Sequence, residues 1–343
     1  MSESSSEKLR IGIVGGGKAG RTFASAANAS ALAEVVTFCT TREKSAREAA
    51  KACGVPNWTA DYESMLQERA IDAVIVASPD KFHCKQTVMA ARAGKHVLCE
   101  KPMCRSLKEA DQMIAAAKKN KVILMIGFTE RYNHPCVDAK RRIDAGEIGT
   151  PKMILARRCH SRSVVRGREW LNDRETGGVL SFVGTHNIDL ICWFMGRKPR
   201  RVYAEMGNLI LKDRKFTDCA VMTLKFEGGA VATLYETFSY PAAYPASVDR
   251  NLEILGDKGV IKLDFMSQPL TTFSEQGQQL GDSITWPIEE RGVKGAALAE
   301  LEHFVQCARE NRTPLTPGES GKLALRIAEA ARRAARTGKA IAI

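Results

Sequence analysis

The 343-residue sequence lacks several features that would assign it to a class at once. It contains no apolar run of about 18 residues, so neither a membrane-spanning helix nor a membrane partner is expected. Its ten cysteines form no CxxC pair, which argues against a zinc site or a disulfide framework and for packed, reduced thiols. The amino terminus lacks the basic and apolar segments of a secretory signal. These absences predict a cytoplasmic chain with no structural metal.

Aromatic residues are also scarce, at 6% of the chain, whereas Lys and Arg outnumber Asp and Glu by 51 to 39 and give a net charge of +12. Such a surplus invites a nucleic-acid interpretation. The basic runs at 140–142 and 332–336, however, carry none of the interleaved aromatics of a single-strand binder. We interpret both runs as solvated helix faces and expect no nucleic-acid partner.

Short apolar runs alternate with amphipathic stretches from Leu9 to about Phe128. Unbroken apolar strands indicate burial on both sheet faces, so this half is predicted to be a doubly wound parallel α/β sheet of the Rossmann type. The predicted strands are 10–14, 35–40, 73–77, 96–99 and 122–126. The predicted helices are 19–29, 44–51, 62–67, 84–93 and 107–119.

Beyond Phe128 the strand candidates are longer and alternate between apolar and polar residues, which is typical of an antiparallel sheet with one packed face. The predicted strands are 152–158, 201–208, 218–226, 230–239 and 250–256, and the helices are 138–145, 187–195, 298–310 and 318–335. We therefore predict three segments. They are a disordered tail at 1–8, a dinucleotide-binding domain at 9–128, and an α+β substrate and oligomerisation domain at 129–343. The sheet of the last domain is largely antiparallel and open, and its carboxyl-terminal helix is predicted to pack back near the first domain.

The strongest local motif is the glycine-rich turn after the first strand. Gly15, Gly17 and Gly20 occupy the three positions of GxGxxG, and Lys18 and Ala19 open the following helix. Such a turn allows a pyrophosphate to approach the backbone at a helix amino terminus. We predict dinucleotide binding here.

The end of the second strand bears on which dinucleotide is bound. An NAD site usually places Asp or Glu about 20 residues beyond the last glycine, but this chain reads Thr40-Thr41-Arg42 there. Arg42, together with Lys44, could accept a 2′-phosphate. The alternative is that both cations are a solvated helix start. We predict NAD(H) or NADP(H) as the cofactor and favour NADP(H).

Further motifs follow in a characteristic order along nearly the whole chain. In this arrangement the sequence resembles the Gfo/Idh/MocA oxidoreductase family, and the Glu-Lys-Pro element is the most distinctive feature. The matching segments are 71–79 with Ser78-Pro79, His83, 93–102 with Glu100-Lys101-Pro102, 127–135 with Arg131, 143–149, 177–180 and 184–190.

This resemblance implies an NAD(P)-dependent oxidoreductase. Such an enzyme transfers a hydride between nicotinamide and a secondary alcohol or ketone of a cyclic polyol, a sugar or a sugar derivative. It also implies a cis Lys101–Pro102 peptide and, by analogy, a homodimer or homotetramer. The expected cofactor-binding residues are Gly15, Gly17, Lys18, Ala19, Thr40, Thr41, Arg42, Ser78, Pro79, His83, Glu100, Lys101 and Arg131.

Two residues are predicted to be catalytic. Lys101 follows a strand at the carboxyl edge where open α/β sheets bind ligands, so its ammonium can stabilise a developing alkoxide. His186 has a side chain suited to proton exchange near neutral pH, and the resemblance implies that it is the base. Many sugar and inositol dehydrogenases of the family carry Asp four residues earlier, where this chain has Phe182. Asn187, Asp189 or a residue from another strand then substitutes, or the substrate binds differently; Asp189 fits better as a structural partner.

An arginine-rich segment precedes Trp170, and in the family this region tends to line the substrate pocket. Arginines there could recognise an anionic substrate group, although surface or interface charge is the alternative. The expected substrate-binding residues are Lys101, Arg158, His160, Trp170, His186 and Asn187. Two other functions stay open: a glycosidase that acts by transient oxidation with a retained nicotinamide, and a non-catalytic dinucleotide-binding sensor.

Overall fold

The computed structural model describes residues 7–165, 171, 178–267, 271–274, 277–280, 286–290 and 292–343. The chain divides into two compact units. The first comprises Met1–Tyr132 and Thr285–Lys322, and the second comprises Asn133–Ile284 and Leu323–Ile343. The predicted tail falls mostly on residues 1–6, which lie outside the described part of the chain.

The first unit contains a six-stranded sheet in which every neighbouring pair is parallel, in the order β3-β2-β1-β4-β5-β6. The strands are β1 Leu9–Val14, β2 Ala33–Cys39, β3 Asn57–Thr59, β4 Ala73–Val76, β5 His96–Cys99 and β6 Leu124–Ile126. All residues of β4 and β6 are buried, as expected for a sheet with both faces covered. The predicted doubly wound fold is therefore confirmed. β3 escaped prediction because it is short and carries no apolar run.

Helices connect these strands and cover the sheet. They are α1 Lys18–Ala29, α2 Glu43–Cys53, α3 Tyr62–Gln67, α4 His83–Arg92 and α5 Leu107–Lys119. α5 begins at a capping box in which Ser106 accepts from the backbone of Glu109 and the Glu109 side chain accepts in return. These boundaries lie within about two residues of those predicted.

A later part of the chain also belongs to the first unit. Helix α8, Ala296–Glu310, contributes Leu301 and Phe304 to the same buried core as Phe23 of α1. The short strands β15 Ile288–Glu289 and β16 Gly292–Val293 precede it, and the backbone of Val293 donates to the hydroxyl of Ser25. The first unit thus includes α8, which the predicted division at residue 128 placed in the second domain.

The second unit contains a seven-stranded sheet in the order β12-β11-β7-β10-β9-β8-β17. Its neighbours are antiparallel except β7 and β10, which run parallel. The strands are β7 Pro151–Ser161, β8 Pro199–Gly207, β9 Cys219–Phe226, β10 Val231–Tyr240, β11 Val248–Gly256, β12 Val260–Asp264 and β17 Ile341–Ala342, with a separate hairpin of β13 Thr271–Ser274 and β14 Gly277–Leu280. The predicted largely antiparallel sheet is confirmed.

Three helices complete the described chain: α6 His134–Asp144, α7 Thr185–Met195 and α9 Gly318–Thr337. α7 packs against β7 and β10, and a π-helical turn at Leu180–Gly184 leads directly into it. π-Turns of this kind are rare and often occur at functional sites. This turn fixes where α7 begins, two residues earlier than the predicted start at 187.

The solvated-face prediction for the two basic runs holds for one and fails in part for the other. Arg141 and Arg142 are exposed and both pair with Asp138, whose pKa their hydrogen bonds lower to about 2. Arg332 on α9 is instead partly buried and donates to the Ser181 hydroxyl at 2.8 Å, and burial lowers its pKa. Among the described residues, no helix combines the length and apolar character needed to cross a membrane.

Candidate functional site

The glycine-rich turn of the first unit has the backbone shape that its sequence predicts. Gly15 has φ +115°, and a Cβ atom there would lie 2.3 Å from the carbonyl oxygen of Ala77. A Cβ at Gly20 would lie 2.0 Å from the carbonyl oxygen of Gly15, whereas nothing lies within 4 Å of one at Gly17. The outer two glycines therefore let the chain pack against itself. The middle one leaves the start of α1 open to a ligand.

Lys18, the first residue of α1, has its Nζ 5.7 Å from the ring centroid of Trp286. A cation over an aromatic face is attracted by the ring. The sequence alone gave no reason to place Trp286 at this turn, because it lies far along the chain and in no recognisable motif.

The end of β2 is a short hydrogen-bonded turn. The Thr40 hydroxyl donates to the carbonyl of Arg42 at 2.9 Å, and Arg42 caps α2 without a side-chain hydrogen bond. Thr41 and Arg42 are exposed, so their side chains are accessible to a ligand. The Asp61 carboxylate, on the turn after the neighbouring β3, accepts from the backbone of Glu63 and Ser64.

His83 joins the loops that follow β4 and β5. It is almost completely buried, with Nε2 2.7 Å from the carbonyl oxygen of Ser78 and Nδ1 2.9 Å from that of Pro102. Burial lowers the pKa of the imidazole despite these two carbonyls. His83 therefore ties together the two loops that carry the predicted cofactor residues Ser78 and Pro79 and the predicted catalytic Lys101.

The Glu100-Lys101-Pro102 element lies directly after β5. The Lys101–Pro102 peptide is cis, as the family resemblance implies. The backbone N–H of Lys101 donates to Glu100 Oε2 at 3.0 Å. Burial raises the pKa of the Glu100 carboxyl, and the Lys101 charge opposes that shift. The element thus presents one cation from a rigid, partly buried strand end.

A second carboxyl lies deeper in the first unit. Glu300 on α8 is fully buried and accepts from the Thr129 hydroxyl at 2.7 Å. Its Oε1 has no hydrogen-bond partner among the described residues. Burial raises the pKa of Glu300 well above its usual range, and the charges of Glu100 and Glu130 act in the same direction. Nothing in the local sequence of α8 predicts this carboxyl.

Arg131, a predicted cofactor residue, lies in the same region. Its guanidinium donates to the carbonyl of Leu315 at 2.9 Å, and the side chain is 7% exposed. Within the first unit the structure therefore brings together the strand-end loops bearing Gly15 and Ser78. The guanidinium of Arg131 makes at least one hydrogen bond to the backbone, at the carbonyl of Leu315.

In the second unit His186 is the second residue of α7 and is half-buried. Asn187 beside it is fully buried, and neither of its amide atoms has a hydrogen-bond partner among the described residues. Buried amides without partners are costly. Such a group fits a bound polar ligand or water.

Phe182, at the position where many family members carry Asp, joins an aromatic cluster. Its ring centroid is 6.3 Å from that of Phe238 on β10. Phe238 also lies 5.7 Å from the ring of His160 and 5.7 Å, edge on, from Phe216. The predicted substrate residue His160 is thus packed in this cluster, and position 182 contributes apolar contact only.

Three buried charged residues form a row across the same sheet face. Glu236 on β10 lies opposite Arg158 on β7, and Arg158 lies opposite Arg250 on β11. Glu236 is fully buried, and Arg158 and Arg250 are 5% and 8% exposed. Arg250 also lies 4.1 Å from the ring centroid of Phe265. We name Glu236, Arg158 and Arg250 the buried charge row.

The surface-charge alternative for the arginine-rich segment is therefore wrong for Arg158 and His160, because both are buried. It describes Arg157 better, since Arg157 lies on the opposite face and pairs with Asp249 at 2.8 Å. The predicted substrate residue Trp170 and its neighbours Arg166 and Arg168 lie outside the described residues. Within those residues, no group of three or more His, Cys, Asp or Glu side chains is placed to hold a metal ion.

Comparison with known proteins agrees with this geometry. Residues 9–128 match the oxidoreductase family model for an NAD-binding Rossmann fold, and residues 140–343 match the model for the carboxyl-terminal alpha/beta domain of the same family. The chain belongs to the Gfo/Idh/MocA oxidoreductase family. It is therefore an enzyme of the NAD-dependent oxidoreductase class.

Individual relatives are similar over nearly their full length. Myo-inositol 2-dehydrogenase of Thermotoga maritima is 28% identical over 95% of this chain and 96% of its own. The scyllo-inositol 2-dehydrogenase (NAD(+)) of Bacillus subtilis is 28% identical over 85% and 84%. The crystal structure of myo-inositol 2-dehydrogenase from Lactobacillus plantarum superimposes with a TM-score of 0.86 at 27% identity, covering 98% of this chain and all of that one.

Proposed function

We propose that this protein is a dehydrogenase or reductase that acts on a secondary alcohol or ketone of a cyclic polyol, a sugar or a sugar derivative. The observation that carries the proposal is the Glu100-Lys101-Pro102 element. It presents an ammonium from a strand end that His83 ties to the loop of Ser78, next to the glycine turn. The inositol dehydrogenases among its relatives support the substrate class.

The first unit fits a dinucleotide on its own evidence. The open space at Gly17 and the uncapped start of α1 offer backbone N–H groups to a pyrophosphate. Lys18 and Ala19 open that helix, and Thr40, Thr41 and Arg42 would hold the ribose. When bound, the nicotinamide supplies the position that accepts or returns a hydride. The residues of the first unit named here would orient it.

Lys101 is proposed to hydrogen-bond the reacting oxygen of the substrate. An ammonium at that place stabilises the negative charge that develops on the oxygen as its carbon is oxidised. Glu100, whose carboxyl accepts from the Lys101 backbone, orients the segment.

His186 is proposed to take the hydroxyl proton during oxidation and return it during reduction. Asn187, with two unsatisfied amide atoms among the described residues, is proposed to bind a substrate hydroxyl. Arg158 and His160 come from the buried face of the adjoining sheet and are proposed to complete the substrate-binding residues. Arg158 and Arg250 together carry one more charge than Glu236 neutralises, which would favour a substrate with an anionic group.

Replacing Lys101 by Ala tests the proposal. A panel of cyclic polyols, neutral sugars, acidic sugars and glycosides is assayed with each oxidised nicotinamide cofactor. We expect Lys101→Ala to lower kcat about 10³-fold with the Kd for the cofactor within about twofold of the native value. Lys108→Ala, an exposed lysine on α5, serves as the matched control. Native turnover in Lys101→Ala would contradict the assigned role.

The same assay separates the other two functions. A glycosidase that oxidises its substrate only transiently would turn it over without net change in added cofactor. A sensor would bind cofactor and turn over nothing on the panel. Net reduction of the nicotinamide that matches the product formed is the result expected of a dehydrogenase.

We also propose that copies of this chain associate through the open face of the second unit's sheet. Five partly exposed apolar side chains lie on that face, one from each of five strands, and exposed apolar side chains grouped on one face are typical of interfaces. They are Leu155, Tyr203, Val221, Tyr235 and Leu255. Light scattering after gel filtration should show a dimer or tetramer that Val221→Glu dissociates. A native monomer would overturn this proposal.

Two finer features are proposed with the function. The ten cysteines are free thiols, which suits a reducing compartment such as the cytoplasm. The exposed Arg42, with no carboxylate at the end of β2, favours NADP(H) over NAD(H).

A further inference from the structure

We propose that Glu236 is a positioning residue for His186 and takes the place of the carboxylate that position 182 lacks. The proposal rests on the proposed function, because it assigns His186 a role in proton exchange. It follows from three observations in the second unit: the contact of Glu236 with Gly184, the buried charge row, and the packing of Phe182.

Glu236 lies against the π-helical turn that leads to His186. A Cβ atom at Gly184 would stand 2.4 Å from Glu236 Oε2 and 3.1 Å from its carboxyl carbon. Only glycine allows a carboxylate this close to the backbone, because even Ala would collide with it. Gly184 is two residues before His186, so the carboxylate is seated against the segment that sets the start of α7.

The carboxylate is held in place from the other side by the sheet. Glu236 is fully buried in the middle of β10, and Arg158 lies opposite it on β7. A buried carboxylate requires an opposite charge or hydrogen bonds to compensate for lost hydration. Arg158 supplies the cation, and a buried side chain in a sheet has little freedom to move. The Glu236 carboxylate is therefore held in a fixed position against the π-helical turn at Leu180–Gly184.

Phe182 excludes a carboxylate from the usual position. Its ring packs on Phe238 within the aromatic cluster, two residues along β10 from Glu236. The side chains of Glu236 and Phe238 lie on the same sheet face because strand residues alternate between faces. Strand β10 thus provides both groups. Phe238 makes the apolar contact with Phe182, and Glu236, two residues earlier, supplies the carboxylate that is missing at position 182.

Glu236 would therefore hold His186 in position through the turn and act on its imidazole through the negative charge of the carboxylate. A shift of about 1 Å in a reacting group lowers turnover about 10²-fold. Because Glu236 contacts the turn that leads to His186, its loss should reduce kcat and leave cofactor affinity unchanged.

The test uses the full chain with the substrate found on the panel and counts active sites by cofactor binding. Glu236→Gln keeps the shape and removes the charge, and we expect kcat to fall about 10²-fold with the KM for nicotinamide within about twofold. Glu253→Gln, on the same sheet in an exposed pair with Lys262, is the control and should match the native enzyme. The double variant Glu236→Gln with Phe182→Asp returns a carboxylate to the other position and should recover about tenfold of the lost kcat.

A second variant keeps the test decisive if Glu236→Gln does not fold. Glu236→Asp retains the charge but is one methylene too short to contact Gly184, so it too should lower kcat at constant cofactor KM. Native kcat in a folded Glu236→Gln or Glu236→Asp chain would overturn the proposal, as would an equal loss of kcat and cofactor affinity. If the native enzyme turns over nothing on the panel, the proposed function fails instead, and the two failures are distinguishable.

Discussion

The glycine-turn edge of the first unit and the buried charge row of the second unit are built in opposite ways. The glycine-turn edge is formed by residues that are close in the sequence. Gly15, Gly17 and Lys18 belong to one turn, and Glu100-Lys101-Pro102 belongs to another. In the buried charge row, Arg158, Glu236 and Arg250 come from three strands and meet only because the sheet aligns them. The glycine-turn edge is therefore formed by local sequence motifs, whereas the buried charge row depends on the register between strands.

This difference determines how each region responds to substitution. In a tight turn the backbone conformation itself is demanding, so a single methyl group is disruptive. In the buried charge row each charge is compensated by its neighbours, so the removal of one residue leaves a buried charge without an opposite charge.

The largest effect is expected in the glycine turn. Gly15→Ala combines a φ of +115° with a Cβ only 2.3 Å from the carbonyl oxygen of Ala77, so it should cost about 3 kcal/mol or more and abolish cofactor binding. Gly54→Ala is the matched control, since Gly54 also has positive φ, +68°, but nothing within 4 Å of a Cβ. It should cost about 1 kcal/mol. Equal costs in chemical denaturation would show that the collision at Gly15 is unimportant.

A smaller effect, dependent on pH, is expected at Glu300. Because burial raises the pKa of this carboxyl in the folded chain, its contribution to folding is complete below the unfolded pKa of about 4.3 and is lost as the pH rises toward the folded value. Glu300→Gln removes that loss, so its Tm should fall less than the native Tm between weakly acidic and neutral pH. The exposed Glu319→Gln should follow the native curve. Parallel native and Glu300→Gln curves would mean that the pKa of Glu300 is not raised.

The smallest effect is expected at Arg42, which is exposed at the end of β2. Arg42→Ala should reduce the ratio of kcat/KM for NADP to that for NAD about tenfold, because one charge-assisted bond to the 2′-phosphate is lost. Lys51→Ala, an exposed lysine on the same helix, should leave the ratio unchanged. An unaltered ratio in Arg42→Ala would show that Arg42 is a solvated helix start.

Much of the first unit was predictable because its signals are local. The strand–turn–helix around Gly15 and the boundaries of α3 and α5 follow from periodicity, glycine placement and capping residues. The residues missed there, Trp286 and Glu300, belong to the later segment of the chain that returns to the first unit. No local pattern signals such a return.

In the second unit the alternation of apolar and polar residues predicted the sheet but not its order. The parallel pairing of β7 with β10 places Glu236 opposite Arg158, and the sequence alone does not determine that pairing. The absence of a carboxylate at Phe182 was visible in the sequence, and a residue from another strand was one of the alternatives. Glu236 could be identified only once the register and the approach to Gly184 were known.

Hydride transfer between substrate carbon and nicotinamide can be followed by isotope transfer. The purified chain is incubated with oxidised cofactor and a cyclic polyol deuterated at its carbinol carbons, and the recovered nicotinamide is analysed by mass spectrometry and NMR. We expect one deuterium at C4 of the reduced ring for each ketone formed, with Lys101→Ala transferring almost none. Ketone formation together with reduced cofactor that carries no deuterium would show that the hydride does not come from the substrate carbon.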